Sequence, residues 1–130
     1  MHTTTFRINW DTLSRIFIAV LFIFAGWGKL MTFEATTSYI ASVLKTGQVT
    51  PIITALVIFI EIVIALIYAY GKYKKDVMAY ILIAFTVLTT IFFHSDLSVN
   101  LNMIMALKNL AIVGGIFATL DGVHRRRVTK

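Results

Sequence analysis

Six side chains capable of chemistry interrupt or border long apolar runs in this sequence: Lys29, Glu61, Thr90, His94, Lys108 and Asn109. An ammonium donates hydrogen bonds to carbonyl or oxyanion oxygens, a carboxylate balances such a cation, and an imidazole moves protons near neutral pH. Two lysines against one carboxylate leave a surplus of about one positive charge, which favours an anionic or electron-rich guest. The pattern names no catalytic residue. Cysteine is absent, which removes disulfides, thiol redox chemistry and thiolate metal sites, and no metal site is read from the remaining residues.

Each residue also has a plainer reading. Lys29 is long enough to snorkel to lipid headgroups, Glu61 and Lys108 can be a pair that only holds helices in register, and His94 can be an ordinary interfacial histidine. Trp27, Tyr39, Tyr68, Tyr70 and Tyr73 read as interfacial aromatics. Gly26-Trp-Gly28 lies within an apolar helix and does not read as a nucleotide loop.

The elements that must position these groups are membrane helices. Of 130 residues, 58% are apolar and mean hydropathy is +0.85, too hydrophobic for an ordinary soluble domain. The expected fold is all-α, an integral membrane four-helix bundle in a single unit, with spans at about 13–33, 51–70, 77–94 and 101–120. The first span is N-capped by Asp11 or Thr12. No small-x-small cleavage site follows it, so it reads as retained rather than as a signal peptide. A short interfacial helix is expected over Ala35 to Leu44, Pro51 opens the second span, and Gly71 to Asp76 turns into the third. The net charge of +6 collects at the ends of apolar runs, which signals topology rather than nucleic-acid binding. Arg7, Arg15, Lys72, Lys74, Lys75, Arg125, Arg126, Arg127 and Lys130 fall on one side and only Lys45 on the other, so both termini are expected in the cytoplasm.

Depth follows from helical rise. Glu61 lies near the midplane, about 15 Å from either end of its span, Lys29 about 6 Å and Lys108 about 10 Å below the outer surface, and His94 at the rim. A carboxylate at that depth costs several kcal/mol unless protonated, paired or wetted, so it needs a partner. Small residues (Ala25, Gly26, Gly28, Ala65, Ala111, Gly114 and Gly115) allow close helix approach beside it. The inference is a polar pocket in the outer half of the bundle.

Phe24-Ala-Gly-Trp-Gly-Lys-Leu30, Glu61, Phe93-His94, and Lys108-Asn109-Leu-Ala followed by Gly114-Gly115 together resemble the DoxX family of small bacterial membrane proteins. The likeness runs from about Leu13 to Leu120. It implies a left-handed four-helix bundle in a prokaryotic inner membrane, and Lys29, Glu61, His94, Lys108 and Asn109 stand at the family's polar positions. Family members have been tied to a thiosulfate:quinone oxidoreductase as its small subunit, and to complexes handling thiol or oxidative stress. The expected function is therefore an oxidoreductase-associated subunit binding a quinone-like or anionic small molecule. The expected partners are the lipid bilayer, an oxidoreductase subunit and further copies of the chain. Two alternatives stand beside it: a non-enzymatic transporter or binder of a small anion or lipid headgroup, and a structural or assembly subunit.

Overall fold

A computed structural model describes residues 7–128, with side chains described through residue 120. Four helices are long and apolar enough to cross a membrane: Trp10–Met31, Gly47–Tyr70, Lys75–Phe93 and Asn100–Leu120. No strand occurs among the described residues.

Helix α1 (Trp10–Met31) starts three residues before the expected Leu13. Asn9 supplies the cap: its extended backbone lets Oδ1 accept from the Thr12 N–H at 3.2 Å, so Asp11 lies inside the first turn, where its charge suits the helix dipole. The helix stops at Met31, not Phe33, because Thr32 leaves helical geometry (φ −122°, ψ 43°) while its hydroxyl donates to the Gly28 carbonyl at 2.9 Å. The kink releases α2 (Phe33–Leu44), close to the interfacial helix expected there. Helix α2 folds back over the second span and α5, held by Thr37 donating to Thr54 at 2.9 Å and by the Tyr39 and Phe93 rings, 5.7 Å apart.

The second span is not one uniform helix. A 3₁₀ turn at Gly47–Val49 leads into α3 (Thr50–Phe59), with Pro51 in its first turn. Ile60–Ile64 form a π turn, and α4 (Ala65–Tyr70) ends at Gly71 in the left-handed region, φ 72°. After the turn come α5 (Lys75–Phe93) and α6 (Asn100–Val128). Helix α6 continues past the expected end at Leu120; the basic tail proposed as an anchor, Arg125 to Arg127 and Lys130, lies outside the described side chains.

The spans form a closed ring. Helix α1 packs on the second span and on α6, and α5 packs on the same two neighbours. In the middle of the bundle Ile64, Ala65, Leu82 and Ile116 make a dry layer, each at most 8% exposed. Large apolar side chains such as Phe24, Ile52 and Leu110 point outward, as a helix surrounded by acyl chains permits.

At the end that carries the N-terminus, Arg15 is not a simple flank charge. It is buried, and its Nη1 donates to the carbonyls of Tyr68 (3.1 Å) and Ala69 (2.8 Å), two of the acceptors that α4 would otherwise leave unsatisfied. Its Nε donates to Asp11 at 3.1 Å, and Lys75 approaches the same carboxylate oxygen at 3.6 Å. Tyr68, expected at an interface, is instead fully buried and hydrogen-bonded to Thr119 at 2.8 Å.

Candidate functional site

Between the dry layer and α2 lies a cavity of about 300 Å³. All the spans and α2 contribute to its wall: Ala25 and Lys29 from α1, Tyr39 from α2, Glu61 from the π turn, Phe85 and His94 from the α5 segment, Lys108 from α6. Aliphatic and aromatic side chains dominate, with a few polar groups converging, which is the usual make-up of a small-molecule site.

Glu61 is 5% exposed and lies at the bottom. Its partner is Lys29, whose Nζ is 2.9 Å from both carboxylate oxygens. The register-holding pair considered from sequence, Glu61 with Lys108, is therefore replaced by Glu61 with Lys29. Two features impose this choice. The π turn widens the second span locally and shifts the direction in which residue 61 projects, a distortion common at functional positions. Gly26 then lets α1 approach: a Cβ there would lie 2.7 Å from Ile62 Cγ1 and 2.9 Å from Glu61 Cβ. Lys29, three residues further along the same helix, is brought against the carboxylate.

Lys108 is on the wall with its Nζ 3.5 Å from the thioether of Met105. Among the described residues no carboxylate lies within salt-bridge distance of it. Lys29 and Glu61 cancel, so the surplus charge rests on Lys108. Asn109 also lines the cavity and donates from Nδ2 to Thr90 at 2.8 Å. Thr90 itself is a step behind the wall: its hydroxyl donates to the Thr86 carbonyl at 2.7 Å and receives Asn109, while Thr86 and Thr89 take the lining positions. His94 caps α5 at the cavity's edge, with Nδ1 3.4 Å from Asn102 Oδ1. Among the described residues no other hydrogen bond engages its ring, which leaves Nε2 uncommitted.

These positions lie on a matched family pattern: the DoxX family model covers residues 11–95, from α1 through His94. The chain belongs to the DoxX family. It is 35% identical over 103 residues to the inner membrane protein YqjF of Escherichia coli, covering 79% of this chain and 75% of that protein. It is 30% identical over 108 residues to the inner membrane protein YphA of the same organism, covering 78% and 74%. No solved structure matches significantly. With four helices able to cross a bilayer and two inner-membrane relatives, this DoxX protein is a multi-pass inner-membrane protein.

Sequence reasoning missed several wall positions of the DoxX cavity. Tyr39 was assigned to an interface and stands at the mouth against Phe93; Phe22 and Phe85, with rings 6.5 Å apart, form part of the wall. Aromatics in apolar runs carry no mark that separates a cavity lining from a core. The π turn has no sequence signal either, since Ile60-Glu-Ile-Val-Ile64 reads as continuous apolar helix.

Proposed function

We propose that this protein is a small membrane subunit associated with an oxidoreductase system, and that its cavity binds a quinone-like molecule. The observation that carries the reading is Lys108, an ammonium without a carboxylate partner among the described residues, on the wall of a mostly apolar and aromatic cavity. The size fits one ring system: about 300 Å³ is at the lower end of the range of ligand pockets, roughly 300 to 1,000 Å³. The lysine and arginine bias puts both termini in the cytoplasm, so the cavity belongs to the outer half of the membrane.

In this reading Lys108 donates to a carbonyl oxygen of the guest, and the Lys29 and Glu61 pair offers a neutral polar floor. His94, at the rim, moves a proton between guest and outer solvent. A bound quinone supplies two-electron, two-proton redox chemistry; with no cysteine in the chain, electrons reach it from a partner subunit rather than from a thiol pair. The test is quinone titration of the purified protein. Glu61→Gln and Lys108→Met should each weaken binding about tenfold or more, equivalent to about 1.4 kcal/mol. If both variants bind as the parent does, the reading fails.

A second reading is favoured by the same uncompensated ammonium: a binder of a small anion or lipid headgroup with no redox role. It predicts thermal stabilisation by the anion, whereas the first predicts stabilisation that changes with quinone redox state.

A further inference from the structure

The walls of the cavity are not equally closed. Of the residues that line it, Leu21, Tyr39 and Lys108 are exposed. Tyr39 belongs to the mouth under α2. Leu21 and Lys108 are on facing surfaces of α1 and α6, far from that mouth. Near the dry layer these two helices touch: a Cβ on Gly115 would lie 3.3 Å from Ile18 Cδ1. Gly115 and Lys108 are seven residues apart, so they share a face of α6, as Ile18 and Ala25 share a face of α1. Two turns beyond the contact, about 10 Å along the axis, the same faces carry an exposed lysine and a cavity-lining alanine. Gly28, seven residues from Leu21 and on its face, would meet nothing within 4 Å if it had a Cβ. The helices therefore part into a wedge that opens away from the Gly115 contact.

Depth decides what the wedge opens onto. Lys108 is eight residues into α6, about 12 Å from its first residue, and Leu21 is ten residues before the end of α1, about 15 Å. Both distances lie within the hydrocarbon half-thickness of about 15 Å, so exposure here is exposure to acyl chains. The cavity volume supplies the second half of the argument. It accommodates a ring or headgroup but no long chain, so a tail attached to the guest must leave through a gap.

Resting on the reading that this cavity holds a small molecule, we propose that the wedge between α1 and α6 is a lateral portal. The guest is an amphiphile that enters from the bilayer, seats its polar head against Lys108 and the Lys29 and Glu61 pair, and leaves its apolar tail between Leu21 and Gly28 among the lipids. Lys108 at the sill meets the head first and returns to the wall with it.

The test uses the full chain in nanodiscs of phosphatidylethanolamine and phosphatidylglycerol. A benzoquinone bearing a decyl tail and the same ring without a tail are titrated, each corrected for its partition into empty nanodiscs. The parent should bind the tailed ring at least tenfold more tightly than the tailless one. Gly28→Trp, which fills the empty space beside the portal, should erase that preference while the tailless ring binds as before. Gly114→Trp, equally bulky at a lipid-exposed position with nothing within 4 Å, should keep the preference. Gly28→Leu serves if the tryptophan variant does not fold. Absence of a tail preference in the parent, or its survival in the Gly28 variant, overturns the portal but leaves the cavity reading intact. Failure of both rings to bind the parent overturns the two together.

Discussion

Replacing Lys29 with methionine separates the two halves of the deepest ion pair and gives the sharpest energetic test of the site. In the parent both oxygens of Glu61 rest on one ammonium, 2.9 Å away. Breaking a fully buried pair by removing one partner costs about 3 to 5 kcal/mol, because the other charge is left without compensation. The lysine side chain is 33% exposed and the glutamate side chain 7%, so some solvent or headgroup screening applies, and the expected loss for Lys29→Met is about 2 to 3 kcal/mol. The reverse change is milder. In Glu61→Gln the lysine that remains can swing outward through its exposed third, so the loss should stay near 1 kcal/mol. Lys29→Met with Glu61→Gln should recover at least 1 kcal/mol over the sum of the single changes. Reversible unfolding in mixed micelles measures all four proteins. A Lys29→Met cost under about 0.5 kcal/mol, or a double variant no better than additive, would refute the view that this contact is a desolvated pair.

Two further outcomes test how the elements that hold the site are positioned. Gly26→Ala should cost about 1 to 3 kcal/mol in the same unfolding assay, because its Cβ meets Ile62 and Glu61 at under 3 Å, whereas Gly28→Ala, with open space beside it, should change stability by less than about 0.5 kcal/mol. Arg15→Lys should lose about 2 kcal/mol despite keeping the charge, since an ammonium cannot span Asp11, Thr12 and the carbonyls of Tyr68 and Ala69 together; thermal melts of the variant check it.

The spans were legible because a bilayer demands long uncharged helices, and α2 was legible because the connection after Phe33 was too long and too mixed to be a plain loop. Depth was legible too: helical rise alone put Lys29, Glu61, Lys108 and His94 towards the same half of the bundle, and all of them line the cavity. What residue spacing could not give was rotation. Choosing Lys29 over Lys108 as the partner of Glu61 depends on how far each helix is turned about its axis, and the π turn alters that locally. The same blindness put Thr90 on the wall instead of Thr89. Arg15 was counted as a topological charge because its partners are backbone carbonyls more than fifty residues away, and carbonyls carry no signature in a sequence.

The π turn also ties two distant parts of the molecule to one residue count. Deleting any single residue between Ile60 and Ile64 would restore uniform winding, but everything after it would rotate by about 100° and retreat by about 1.5 Å along the axis. Tyr68 would swing off Thr119, and the carbonyls gripped by Arg15 would face elsewhere. The pose of one acidic side chain and the seal at the opposite end of the bundle thus form a single inherited unit, which insertions and deletions can disrupt but only point substitutions can tune.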